Sequence, residues 1–299
     1  MFENASIFLF LGILLLKNII FWVIFVTNRT DLAVESYESV NKTAIDGVIV
    51  KEDKNITTVR VINENGAQVL GKPIGTYITY SLPSFLNDTD LFDGRLEDLS
   101  SVLNSLLPEN ISSVLVAGVG NLDITADALG PKVNDYVIAT RHLIQGENKN
   151  EIFKDFFNVS NIPTGVLGDT GIESAELVGG IVNTINPSCV IVVDALAATS
   201  KDRLGSTVQM SDTGISPGSG VGNHRYEISE KTLGVPVISM GIPTVLSTAL
   251  LDDSAVGSMF VTPREIDRII EQGAKLIGMS INTCLHKNLS PQDLFALVG

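Results

Sequence analysis

The chain has 299 residues, with 34 acidic against 20 basic side chains and a formal charge of −14. That length supports one large or two small domains with a sizeable core. A content of 44% hydrophobic and 18% charged residues excludes a disordered tail. The acidic surplus excludes a broad footprint on nucleic acid, which needs Lys and Arg to displace counterions. The two cysteines, Cys189 and Cys284, form neither a CxxC pair nor a Cys/His ligand spacing. Free buried thiols in a reducing compartment are therefore expected, not a disulfide scaffold or a zinc finger.

Residues 7–26 read IFLFLGILLLKNIIFWVIFV. Twenty largely apolar residues, interrupted by Gly12, Lys17 and Asn18, just cross a hydrocarbon core of about 30 Å at 1.5 Å each. Glu3 is the only charge ahead of them, the basic leader of a signal peptide is missing and no small-x-small site precedes Thr27, which argues against a cleavable signal peptide. Apolarity on every face argues against a core helix. Two readings stand: a membrane segment, or a stretch upstream of the true start. Residues 1–28 are accordingly set apart from a single domain at 29–299. Glu3 and Lys17 cancel, so the whole net charge belongs to that domain.

The domain opens polar and turn-rich to about Asn55. Strands are predicted at 56–62, 67–71 and 76–82, the first two separated by an Asn65-Gly66 turn. A helical period of apolar residues spans Asp88 to Leu107. Then follow a continuous apolar strand at 112–118, helices at 126–144 and 171–185, and a second apolar strand at 188–196. Strands at 206–212 and 235–241 precede a long closing helix at 263–286. Apolar strands without alternation, joined by helices, predict an α/β fold: a mostly parallel central sheet with helices on both faces, plus a small N-terminal β segment.

Ligand sites of open α/β sheets lie beyond the carboxyl ends of strands. Asp127 follows the 112–118 strand, and Asp194 directly follows the run 188–193. Two carboxylates in one crevice split their pKa values, leaving one to give a proton and the other to take it. The plain alternatives are a helix first-turn charge for Asp127 and a solvated strand-end residue for Asp194. Gly118-Val119-Gly120 begins a dinucleotide fingerprint, but Asp123 stands where its third glycine belongs. No GxxxxGK[ST] P-loop and no G-x-S-x-G elbow occur. The loop from Ser211 to Arg225 contains Gly214, Pro217, Gly218, Ser219, Gly220, Gly222 and Asn223, allowing close backbone approach to a peptide. His142, His224 and His286 show no metal-ligand spacing; His142 and His286 read as structural, and only His224 falls in the glycine-rich loop.

The chain resembles the germination proteases of spore-forming bacteria. The matching strings include Arg29-Thr30-Asp31-Leu32-Ala33-Val34-Glu35, Asp127-Ala128-Leu129-Gly130-Pro131 and Thr170-Gly171-Ile172-Glu173. Further along come Asp194-Ala195-Leu196-Ala197, Asp212-Thr213-Gly214-Ile215, Pro217-Gly218-Ser219-Gly220-Val221-Gly222-Asn223 and Gly241-Ile242-Pro243-Thr244-Val245. They run in order through residues 29–299. The resemblance implies an atypical aspartic-type endopeptidase, related in fold to hydrogenase maturation proteases, with catalytic residues at Asp127 and Asp194. It further implies no metal or other cofactor, and small acid-soluble spore proteins as substrates in the forespore or spore core. A homotetramer is implied, and so is a precursor that cuts itself at Asp31-Leu32. Gly214, Pro217, Gly218, Ser219, Gly220, Gly222 and Asn223 would contact the substrate. The apolar leader and the departures at Asp123, Asp169 and Ser216 motivate the first of two rivals. This is a non-catalytic, membrane-tethered relative that binds spore proteins or peptides; the second is a metal-using maturation-type protease with carboxylates and His224 as ligands.

Overall fold

The computed structural model describes residues 30–40, 44–86, 90–144, 153–221, 225–247 and 260–298. The apolar leader at 7–26, with Gly222, Asn223 and His224, lies outside them. The described strands are β1 (Val48–Asp53), β2 (Ile56–Val61), β3 (Gly75–Ser81), β4 (Ser113–Val119), β5 (Asn158–Gly165), β6 (Cys189–Ala198), β7 (Thr207–Ser211), β8 (Val237–Ser247) and β9 (Phe260–Val261). They form one sheet in the order β1-β2-β3-β7-β8-β6-β4-β5, with β9 beside β8. β5, β4, β6 and β8 are mutually parallel. β7, β3, β2 and β1 extend this block as an antiparallel wing. The expected N-terminal β segment is therefore the outer part of the same sheet.

The longer helices are α1 (Ala33–Ser39), α2 (Glu64–Leu70), α3 (Arg95–Leu106), α4 (Leu129–Tyr136), α5 (Ser174–Ile185), α6 (Ile266–Leu285) and α7 (Pro291–Val298). Both faces of the parallel block are covered. One carries a core in which Leu99 and Leu103 of α3, Val133 of α4 and Ile277 of α6 meet Val116, Ile191 and Met240. On the other, Val178 and Val182 of α5 meet Leu115, Val190 and Val192. Covering on both faces is why β4 and β6 are apolar without alternation. Among the described residues, no helix is long and apolar enough to cross a membrane.

Local departures from the sequence reading have visible causes. Residues 67–71 are mostly helical, not a strand. Asn63 caps α2 by accepting the Gly66 N–H at 2.9 Å, and Gly71 ends it at φ 63°. The hairpin instead joins β1 to β2 through Lys54, whose φ is 49°. The helix expected from Asp88 starts only at Arg95, after Gly94 at φ 100°. The helix expected at 126–144 is broken after Tyr136. Asn282 of α6 holds the break, accepting the Ile138 N–H at 3.0 Å and donating to the Tyr136 carbonyl at 2.7 Å. The stretch ahead of Asn55 is not all polar linker: Leu32, Ala33 and Val34 are buried against β2, β3 and β6. Cys189 and Cys284 are buried free thiols, pushed up by burial to about 12 and about 11.

Candidate active site

β4 delivers the chain to Gly120, where φ is +133°. A Cβ there would lie 1.9 Å from the Asp127 carbonyl oxygen, so glycine lets the loop fold back on itself. The Asn121 N–H donates both to that carbonyl, at 3.1 Å, and to Asp127 Oδ2, at 3.0 Å. Asp127 closes a 3₁₀ turn, Thr125–Asp127, just ahead of α4. The Thr244 hydroxyl on β8 donates to the Ala126 carbonyl at 2.7 Å and pins that turn to the sheet. Burial raises the Asp127 carboxyl above its ordinary value, against the Asn121 amide and the positive charge of Arg225.

Asp194 is not the strand-end residue the sequence suggested. β6 continues to Ala198, and Asp194 sits within it, paired with Gly241 and only 4% exposed. Its Oδ1 accepts the Ala195 N–H at 2.8 Å. Removal from water raises this carboxyl well above the ordinary value; the charges of Asp127 and Asp31 raise it further, and the Ala195 amide opposes them. The two carboxyls are thus unequal. Both are held towards their protonated forms, Asp194 the more strongly, while Arg225 favours the ionised form of Asp127.

Both line one cleft of about 290 Å³. Its walls include Ile124, Val166, Leu167 and Val245, with Pro217 and Gly218 from the glycine-rich loop. Arg225 enters the cleft with its guanidinium 3.8 Å from Glu173. The other described loop residues turn elsewhere. Gly214 and Ser219 line a neighbouring cavity of about 190 Å³, and Gly220 lies against Asp31. Asp31 and Leu32 are built into the fold beside β6, with Leu32 fully buried. Among the described residues, no three His, Cys, Asp or Glu side chains converge as a metal site. His286 is buried and structural, as its place at a helix end suggested. Arg225, Glu173 and Thr244 were not foreseen as cleft residues. Each stands in or beside a string that matched the family, but periodicity and spacing alone gave no reason to select them.

The sequence profile of the germination protease family matches residues 27–257. A germination protease of Clostridium perfringens is 37% identical over 325 aligned positions, covering 89% of this chain and 97% of its own. That of Bacillus cereus is 40% identical over 283 positions, covering 89% and 76%. That of Priestia megaterium is 44% identical over 246 positions, covering 76% and 66%. Among solved structures, a NiFe hydrogenase maturation protease from Thermococcus kodakarensis aligns with a TM-score of 0.36 and 19% identity, over 60% of this chain and 98% of that one.

Proposed function

The chain belongs to the germination protease family and is an endopeptidase, and from that premise we propose that Asp127 and Asp194 cut peptide bonds in small acid-soluble spore proteins. The observation that carries this reading is the unequal burial of two carboxyls lining one cleft. Asp127, ionised, takes a proton from a water as that water's oxygen bonds to the peptide carbonyl carbon. Asp194, protonated, gives its proton to the carbonyl oxygen. When the tetrahedral species collapses, the C–N bond breaks, the amine leaves with the proton that Asp127 took, and one hydroxyl returns its proton to Asp194 as the carboxylic acid product forms. Apolar walls at Ile124, Leu167 and Val245 offer side-chain contacts to a peptide lying in the cleft. Serving germination, the enzyme works in the spore core, and it assembles as a homotetramer.

The precursor removes its own leader at Asp31-Leu32. Leu32 is fully buried in the fold, so the segment must open before it can be cut. The test uses the full chain, with Asp127→Asn and Asp194→Asn variants, incubated with a purified small acid-soluble spore protein. Amide for carboxyl preserves size, so both variants are expected to fold and assemble. Each is expected to lose about 10²–10⁴-fold in kcat. Wild-type rates in either variant would refute the assignment. Sequencing the amino terminus of the wild-type product reads the self-cut in the same tubes.

A further inference from the structure

The segment ahead of α1 and the glycine-rich loop meet at one carboxylate. Asp31 Oδ2 accepts the Ala197 N–H of β6 at 2.8 Å, and its Oδ1 accepts the Ser219 hydroxyl at 2.9 Å. The Asp31 N–H donates to the Ala197 carbonyl at 2.9 Å. The Asp31 carbonyl accepts from the Lys72 ammonium at 3.0 Å and from the Gln209 amide at 2.8 Å. Gly220 has to be glycine here, because a Cβ would lie 2.2 Å from the Asp31 carboxylate and 2.7 Å from Ala197 Cβ. Asp31 itself is held from behind. Thr30 donates to Glu35, whose carboxylate also takes the Thr199 and Ser200 N–H groups at 2.8 and 2.9 Å.

The grip falls next to a wall of the active cleft. Pro217 and Gly218 face Asp127 and Asp194, and Ser219, the next residue, is the one Asp31 holds. With the wall so placed, the cleft measures about 290 Å³. Ligand pockets for drug-sized molecules run from about 300 to 1,000 Å³. An extended peptide of several residues needs more than the lower end of that range.

We propose that Asp31 is a latch: its carboxylate holds the Pro217-Gly218 wall in a restricting position, and its release lets the wall move out to admit an extended peptide. The proposal rests on the peptidase reading of the cleft, but not on self-cleavage. A hydrogen bond to a charged group commonly contributes a factor of about ten to a hundred to an equilibrium, enough to keep the loop closed most of the time.

The experiment uses the full chain carrying Asp127→Asn, so that no cutting intervenes, with Ser219→Ala or Asp31→Ala added. Amide hydrogen exchange is followed at Ala197 and at Gly218–Gly220, and binding of a fluorescein-labelled small acid-soluble spore protein by anisotropy. Ser219→Ala is expected to speed exchange at Gly218–Gly220 about tenfold. Asp31→Ala is expected to do the same and also to expose the Ala197 amide. Both are expected to bind the labelled protein at least about fivefold more tightly than the parent. Unchanged exchange in both variants would overturn the latch, as would a loosened loop with equal or weaker binding. If Asp31→Ala does not fold, Ser219→Ala decides alone. If no chain binds the labelled protein and wild type does not cut it, the substrate reading has failed and the exchange data alone judge the latch.

Discussion

Asp194 shows what a single buried carboxyl does to both activity and stability. In water an aspartate titrates near 3.9; in the middle of β6, at 4% exposure and facing the charges of Asp127 and Asp31, it does so well above that value. The sign follows from linkage. A raised folded-state pKa means stability that is complete below the unfolded value and is lost as pH rises towards the folded one. Asparagine at 194 keeps an oxygen for the Ala195 N–H but cannot ionise. Asp194→Asn is therefore expected to be inactive yet to gain in thermal stability on wild type as pH rises from 4 to 8. The gain should be about 2–4 °C for each kcal/mol of ionisation cost removed. Calorimetric melts of both proteins across that range check it; a constant offset would show that residue 194 does not titrate there. The wild-type rate should follow a bell, rising as Asp127 loses its proton and falling as Asp194 loses its own.

At the scale of elements, the turn from β4 into α4 sets the geometry. Gly120→Ala would force a Cβ to within 1.9 Å of the Asp127 carbonyl at a φ of +133°. The expected cost is about 1–3 kcal/mol of stability, with kcat falling because Asn121 and Asp127 no longer meet. Thermal melting and peptide cleavage measured on the same variant check both. This turn also shows where sequence reading succeeds. β4 and β6 are legible because burial on both faces leaves an uninterrupted apolar run, and Asp194 is legible as the one acidic residue that interrupts the run of β6. Reading failed where partners distant in sequence decide the local structure. No helical period reveals that Asn282 breaks the segment after Tyr136. Nor does any local pattern reveal that the polar-looking Thr30-Asp31 is fastened by Lys72, Gln209 and Ala197. At 67–71 the strand reading rested on Val69 alone; Ala67, Gln68 and Leu70 favour a helix, and the Asn63 cap and Gly71 bound it.

Across the whole molecule, the end of α6 is tied to the start of the parallel block by one imidazole. His286 closes α6 with its own N–H on the Asn282 carbonyl at 2.8 Å. Its Nδ1 accepts the Phe157 N–H at 3.0 Å, immediately ahead of β5, and its ring stands edge-on to Phe156 at 5.4 Å between centroids. An acceptor at Nδ1 requires the neutral ring, and burial lowers the pKa from 6.5 to about 4. A lowered pKa gives stability that is complete above the unfolded value and is lost as pH falls through the folded one, the reverse of Asp194. The fold should therefore weaken between about pH 6.5 and pH 4 by an amount on the order of 3 kcal/mol from this group. His286→Gln offers an amide oxygen to Phe157 without a proton to gain. It is expected to start less stable at pH 7, because the ring's packing is lost, and to decline more gently on acidification. Urea titrations of wild type and variant at pH 7, 5.5 and 4.5 measure the two slopes. Parallel slopes would place the acid sensitivity in other groups and leave His286 as a packing residue only.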